Sequence, residues 1–128
     1  MPRPTSVLSL PECWTLLRST RVGRVVYTEN TTPAARRVGF ALQGDRVLVR
    51  TRPDAWAATI DQTIVGFTVD DIDPGTGWCV IVIGEAHWVT CTDALPALPG
   101  PARQPPGHIV AIGTEHVTGL SITAGDGP

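Results

Sequence analysis

Most of this chain alternates apolar and polar residues with a period of two, which is typical of half-buried β-strands. Turn-forming residues separate the alternating segments at short intervals, and this spacing predicts an antiparallel arrangement. Six or seven strands with short connections favour a closed or nearly closed barrel, a mainly β fold. The predicted strands are Arg21–Thr28, Arg36–Leu42, Arg46–Thr51, Ile64–Val69, Trp78–Thr90, His108–Ile112 and His116–Ile122.

The longest apolar stretch is the predicted strand Trp78–Thr90. From Trp78 to Ile83 both alternating sets of residues are apolar, which indicates a strand that is covered on both faces. Gly84 interrupts this run, and we expect a bulge or a bend there. An open sheet under a single helix would leave Ile81 or Ile83 in water, so the pattern favours a closed barrel.

Two short segments have helical spacing instead. Ser9-Leu10-Pro11-Glu12 is an S-x-x-E capping box with proline near the helix start, and the following apolar residues predict a helix to about Ser19. Because two turns of helix are unstable alone, this helix should lie against the sheet. Pro53–Ile60 predicts a second short helix. Loops are expected at Asn30–Ala35 and, because of five prolines, at Asp93–Gly107.

The length of 128 residues is that of a single domain, residues 1–128, in which residues 1–7 and 124–128 are expected to fray. Three cysteines form no C-x-x-C motif, no apolar run approaches 18 residues, and no signal peptide follows Met1. These features predict a cytoplasmic protein with reduced thiols and no membrane partner. The three histidines are scattered along the chain, so no metal site is expected.

Charge is distributed unevenly along the chain, whose formal net charge is −2. All ten basic residues are arginines, which excludes a catalytic lysine, a lysine Schiff base and a phosphate-binding P-loop. Nine arginines and three acidic residues lie within Met1–Arg52, whereas Arg103 and nine acidic residues follow. The basic half could bind phosphates, or it could dock on the acidic half or on a second copy. No basic stripe alternates with aromatic residues, so nucleic acid is not an expected partner.

The chain contains six short motifs. Through these motifs and their order, the chain from about Leu8 to Ile122 resembles the flavin-binding split β-barrel proteins related to pyridoxamine 5′-phosphate oxidase, in their short actinobacterial form. The motifs are R-V-G-R-V at Arg21–Val25, L-V-R-T at Leu48–Thr51, V-D-D-I-D-P at Val69–Pro74, T-G-W-C-V at Thr76–Val80, I-G-E-A at Ile83–Ala86 and H-V-T-G-L-S-I at His116–Ile122.

The resemblance implies a split β-barrel of six to seven mostly antiparallel strands with two or three short helices. It also implies a homodimeric, FMN-dependent oxidoreductase that has two flavin sites at the subunit interface, although a deazaflavin is an alternative cofactor. Arg50 and Thr51 match residues that hold the FMN phosphate in relatives, and Trp78 matches a segment that reaches the site from the partner chain. The strand along the flavin ring corresponds to Val38, Gly39 and Phe40.

Two departures from the family pattern bear on the flavin site, one at the phosphate, where a hydroxyl and an ammonium group are lost, and one along the flavin ring. Ala55-Trp56 replaces a Ser-Lys pair, and Gly39 replaces the asparagine of a P-V-N-Y run. Losing two hydrogen bonds to a charged phosphate would weaken FMN binding by about 3–6 kcal/mol. Arg52 could compensate through a bidentate contact. Trp56 would either stack on a ring or fill the space of the phosphate.

Three functions therefore follow from the sequence, and none identifies the small-molecule substrate. The first is a flavin-dependent oxidoreductase with an altered phosphate site, in which the flavin supplies the hydride chemistry. The second is a dimeric barrel that has lost flavin binding and serves as a binding module. The third is haem binding through His87, His108 or His116 as axial ligand.

Overall fold

The computed structural model describes residues 5–51, 55–73, 76–89 and 108–123 of the chain. Eight strands and two helices make up this part, and all strand pairs are antiparallel. The elements are β1 (Thr5–Val7), α1 (Leu10–Arg18), β2 (Val22–Glu29), β3 (Thr32–Gln43), β4 (Arg46–Thr51), α2 (Ala55–Ile60), β5 (Ile64–Asp73), β6 (Thr76–Val89), β7 (His108–Ile112) and β8 (His116–Thr123).

The sheet closes on itself through six strands. Its order is β1-β8-β6-β5-β2-β3-β4-β7, and β7 pairs additionally with β6. The barrel therefore consists of β6, β5, β2, β3, β4 and β7, whereas β8 and β1 extend the sheet beyond β6. This architecture confirms the predicted mainly β split barrel, with one short strand more than the sequence analysis counted.

The two halves of β6 pair with different strands on one of its sides. Residues up to Ile83 pair with β8, and residues from Ala86 onward pair with β7. Gly84 lies at the change of partner, where a Cβ atom would stand 1.8 Å from the carbonyl oxygen of Gly113. Gly113 N–H in turn donates to the Glu85 carbonyl at 3.0 Å. The barrel splits at Gly84 because only glycine allows the two backbones to approach so closely.

The first helix and its cap agree with the prediction. Glu12 N–H donates to Ser9 Oγ at 3.2 Å, and Ser9 N–H donates to Glu12 Oε1 at 2.8 Å. The bond donated by Ser9 N–H, together with one from the Ser9 hydroxyl, holds the pKa of the Glu12 carboxyl below its ordinary value. The helix buries Cys13 and Leu17 against the sheet, and burial raises the pKa of the Cys13 thiol.

The loop predicted at Asn30–Ala35 is wrong. Asn30 and Thr31 form a two-residue turn with φ values of 51° and 63°, and β3 begins at Thr32. Two successive positive φ values match the right-handed twist of a tight hairpin. Pro33 is tolerated in the strand because β3 pairs with β4 only from Phe40 onward, which leaves one side of this part without a partner strand.

Two other boundaries also differ from the prediction. Residues 5–7, expected to fray, form β1 and pair with β8. The predicted strand Ile64–Val69 continues to Asp73, because the acidic segment after Val69 pairs with β6. The predicted loop Asp93–Gly107, the first two residues of the second helix and the end at 124–128 lie outside the described residues.

One outer face of the sheet is apolar and exposed. Val26, Ile64, Ile81 and Ile83 lie on this face, which we call the apolar sheet face, and they line an open groove of about 370 Å³. Ile81 and Ile83 are 37% and 41% exposed. The prediction that β6 is covered on both faces is therefore wrong for a single chain, because closing the barrel covers only its inner face. No helix in the described part has the length and apolar character needed to cross a membrane.

Candidate functional site

Arg50 lies on the outer side of the barrel wall. In β4, Val47 and Val49 belong to the barrel core, so by alternation Leu48 and Arg50 face the opposite side. The Arg50 Nε is buried, and no group of the described residues accepts a hydrogen bond from it. A buried guanidinium nitrogen without an acceptor is costly, so this position calls for an acceptor from a ligand.

Gly39 and Arg50 lie just beyond the end of the β3–β4 ladder. The last pair is Phe40–Val49, and Gly39 and Arg50 are the next residues of the two strands. Gly39 is half-buried and has no side chain, so its backbone can come close to a ligand or to another part of the chain.

Val38 and Phe40 point the other way. Both are buried in the barrel core, where Phe40 packs edge-to-face on Phe67 with ring centroids 4.8 Å apart. Of the three residues predicted to lie along a flavin ring, only Gly39 shares the outer face with Arg50. The side chains of Val38 and Phe40 support the site from behind the sheet.

Two further residues were predicted to contact the phosphate, and the structure describes one of them. Thr51 is 6% exposed and lies at the end of β4, opposite His108. It follows Arg50 directly and points to the core side of the strand. Arg52 lies outside the described residues, so its predicted bidentate contact stays a prediction.

Trp56 is buried inside the fold, with 6% of its surface exposed. Its ring lies 5.4 Å from that of Tyr27 at a tilt of 30°, and Arg36 Cζ is 5.2 Å from the Trp56 ring centroid. Arg36 Nε also donates a hydrogen bond to Tyr27 Oη at 3.0 Å. These contacts are those of a space-filling residue, which is one of the two alternatives left open by the sequence.

Trp78 lies in a different part of the molecule from Arg50. It pairs with Asp71 and Ser121 in the β5–β6–β8 region and is half-buried against the core. A single chain does not bring Trp78 to Arg50, so a role at the flavin site requires the second subunit. That role stays a prediction.

The described histidine and acidic side chains were predicted to hold no metal ion, and the structure gives one contact between them. His87 Nε2 lies 2.6 Å from Glu85 Oε1 on the surface, with 56% of the histidine side chain exposed. Within the ranges that the structure describes, no three histidine, cysteine, aspartate or glutamate side chains are grouped to hold a metal ion.

A cleft between β2, β3 and β5 was missed by the sequence reasoning. Two arginines, Arg24 and Arg37, face each other across the β2–β3 ladder at this cleft. The sequence contained a partial signal, since both arginines lie at outward positions of alternating segments. Their juxtaposition depends on the two-residue turn at Asn30–Thr31, which the sequence analysis replaced by a longer loop.

Comparisons with known proteins agree with this geometry. A family model described as pyridoxamine 5′-phosphate oxidase matches residues 9–121. The uncharacterized protein Rv0080 of Mycobacterium tuberculosis is 33% identical over 129 residues, which span 91% of this chain and 85% of the relative. A solved FAD-binding protein from Mycobacterium smegmatis is 31% identical, with a TM-score of 0.73 over 92% of this chain and 98% of that one.

A second solved structure shares the fold. It is a putative pyridoxamine 5′-phosphate oxidase from Corynebacterium glutamicum, 23% identical, with a TM-score of 0.80 over 96% of each chain. At this identity the likeness concerns the backbone alone, and it supports the split-barrel topology derived above.

Proposed function

Because this chain belongs to the pyridoxamine 5′-phosphate oxidase family, we propose that it is a flavin-dependent oxidoreductase that acts as a homodimer. The Nε of Arg50 carries the proposal, because it is buried and has no acceptor among the described residues. A phosphate is the natural acceptor, since the planar guanidinium group matches phosphate oxygens and forms short charge-assisted bonds with them. The similar M. smegmatis protein is an FAD-binding protein, which supports a flavin as the ligand class.

The flavin and the protein residues have separate roles at the proposed site. When bound, the flavin supplies the hydride chemistry, so the chain needs no catalytic acid or base of its own. Arg50 would hold the phosphate, and Gly39, which has no side chain, would lie beside the ligand on the β-sheet surface. FMN, FAD and a deazaflavin all carry a phosphate next to the ribityl chain, so each fits the chemistry of Arg50.

The second subunit is proposed from the apolar sheet face. Isolated surface leucines and isoleucines are common, but Val26, Ile64, Ile81 and Ile83 form one contiguous patch across three strands. A second copy of the chain would cover this patch and would bring groups such as Trp78 toward the partner's site. The substrate would then react in a cleft between two chains.

The experiment is a flavin titration followed by fluorescence quenching, in which Arg50→Gln is compared with the wild type. Hydrogen bonds to a charged group contribute about 1.5–3 kcal/mol, so FMN affinity should fall about 10- to 150-fold. Riboflavin lacks the phosphate and should bind both proteins equally. Arg46→Gln is the matched control, because Arg46 lies at the β3–β4 turn and its guanidinium contacts Gln43.

Absence of quenching by FMN, FAD and a deazaflavin at 100 μM, a level chosen well above typical cofactor affinity, would contradict the proposal. The alternative would then be a dimeric binding module without a flavin. The burial of Trp56 at the position of the family's lysine is the observation that favours this second candidate.

A further inference from the structure

We propose a second anion-binding site, separate from Arg50, which takes a phosphate-type oxyanion in the cleft between β2, β3 and β5. The cleft has a volume of about 280 Å³. It is smaller than a typical pocket for a whole ligand and suits the anionic group of a larger one. The lining residues are Val22, Gly23, Arg24, Arg37, Thr68, Val69 and Asp70.

The two arginines of this cleft are direct cross-strand neighbours. Arg24 pairs with Arg37 on one side and with Thr68 on the other, so all three lie in one row on the outer face. Like charges in directly opposite positions destabilise a strand pair. A bound anion between the two guanidinium groups would remove this repulsion and use their forked donors.

The chain compensates only part of this charge. Asp70 Oδ2 lies 3.6 Å from Arg24 Nη1, and both side chains are about half exposed. In the part of the chain that the structure describes, Arg37 makes no ion pair and no hydrogen bond. The cleft therefore keeps a formal net charge of +1, and the Thr68 hydroxyl adds a neutral donor to the row.

The site is near Arg50 but distinct from it. Arg37 and Gly39 are two residues apart on the outer face of β3, a separation of about 6.5 Å along a strand. Gly39 and Arg50 lie just beyond the last β3–β4 pair, Phe40–Val49, so the cleft and the proposed flavin phosphate site lie close together on one surface. The oxyanion would belong either to a phosphorylated substrate or to a second phosphate of the flavin nucleotide itself.

The test is a calorimetric titration with inorganic pyrophosphate at fixed ionic strength. We expect Arg37→Gln and Arg24→Gln each to weaken pyrophosphate binding at least fivefold, and Arg46→Gln to leave it unchanged. Urea unfolding provides the check on folding, since removal of one of two like charges should not lower stability. A wild-type protein that binds no pyrophosphate, or two variants that bind it as the wild type does, would overturn the proposal.

Arg50→Gln separates this proposal from the proposed function. Retained pyrophosphate binding in Arg50→Gln supports an independent site, whether or not the protein binds a flavin. If Arg50→Gln abolishes binding while Arg37→Gln does not, the anion belongs to Arg50 and the second site is refuted. The second site is also refuted if the wild-type dimer binds no pyrophosphate and Arg37→Gln dissociates that dimer, because the arginine pair is then an interface contact.

A titration in saturating FAD, which carries a second phosphate that FMN lacks, identifies the source of the oxyanion. Unchanged pyrophosphate affinity would indicate a phosphorylated substrate that binds beside the flavin, and it supports the site. If FAD weakens pyrophosphate binding to the wild type but not to Arg37→Gln, the cleft holds one of the flavin nucleotide's own phosphates. This result supports the site as well. If FAD weakens pyrophosphate binding equally in the wild type and in Arg37→Gln, pyrophosphate binds at Arg50, and the proposal of a second site is overturned.

Discussion

A single side chain, Trp56, decides how the phosphate end of the site differs from the family pattern. The resemblance implies a lysine here, whose ammonium group would reach a phosphate. In this chain the position holds a buried indole between Tyr27 and Arg36. The guanidinium group of Arg36 lies against the ring in a cation–π contact. The exchange therefore puts a packing contact where the resemblance implies a contact to the phosphate. Among the described residues, Arg50 is then the cation that we propose for the phosphate.

We expect Trp56→Ala to lower the free energy of unfolding by about 3–5 kcal/mol, because a large buried ring is removed and its cavity does not collapse fully. Trp56→Phe should cost less, since it keeps contact with Tyr27. Urea unfolding measures both. FMN affinity of Trp56→Phe is the control and should equal that of the wild type. A stable Trp56→Ala variant with weakened FMN binding would show instead that Trp56 contacts the ligand.

At this scale the sequence singles out candidate residues, but it does not predict their surroundings. The L-V-R-T motif was enough to single out Arg50, because the motif lies within four successive residues. The environment of Trp56 was not predictable in the same way. Tyr27 and Arg36 lie 20 or more residues before it in the chain and reach it only through the β2–β3 pairing.

At the scale of elements, the sequence predicted the bounds of those helices and strands that short-range interactions define. The helix α1, the strand β4 and the strand β7 match their predicted bounds within one residue. A capping box defines the start of α1, and turn-forming or polar residues flank the short apolar runs Val47–Val49 and Ile109–Ile112. The β2–β3 hairpin was missed because Pro33 and the following alanines are weak strand formers. Their strand conformation comes from pairing with β2 across the turn, a long-range contribution that propensity does not contain.

The split of the barrel at Gly84 leads to a prediction about β6. Gly84→Ala would place a Cβ atom 1.8 Å from the Gly113 carbonyl oxygen, so the two backbones must separate. We expect a loss of about 3 kcal/mol or more in the free energy of unfolding, at the upper end of overpacking effects. Gly77→Ala, in the same strand, meets its nearest atom at 3.3 Å and should cost much less. Equal losses in urea unfolding would refute a special role for Gly84.

At the scale of the whole molecule, the barrel accounts for its inner core but not for its outer apolar residues. The sequence analysis assigned Ile81 and Ile83 to a strand covered on both faces, which assumed that one chain would supply the cover. The pattern of apolar residues does indicate that water should be excluded there. It does not tell whether the covering group belongs to the same chain or to another, because periodicity carries no information about the partner.

The proposed homodimer predicts that a charge on the apolar sheet face will separate the subunits. In a two-fold symmetric interface Ile83→Glu introduces two carboxylates and removes two buried isoleucines, each worth about 1.5–3 kcal/mol. Dimerisation should therefore weaken by about two to four orders of magnitude in the dissociation constant, which sedimentation equilibrium measures. Leu10→Glu is the control: Leu10 is also exposed but lies at the start of α1, where a carboxylate is favourable. A monomeric wild type at micromolar concentration, or an Ile83→Glu variant that dimerises as the wild type does, would contradict this interface.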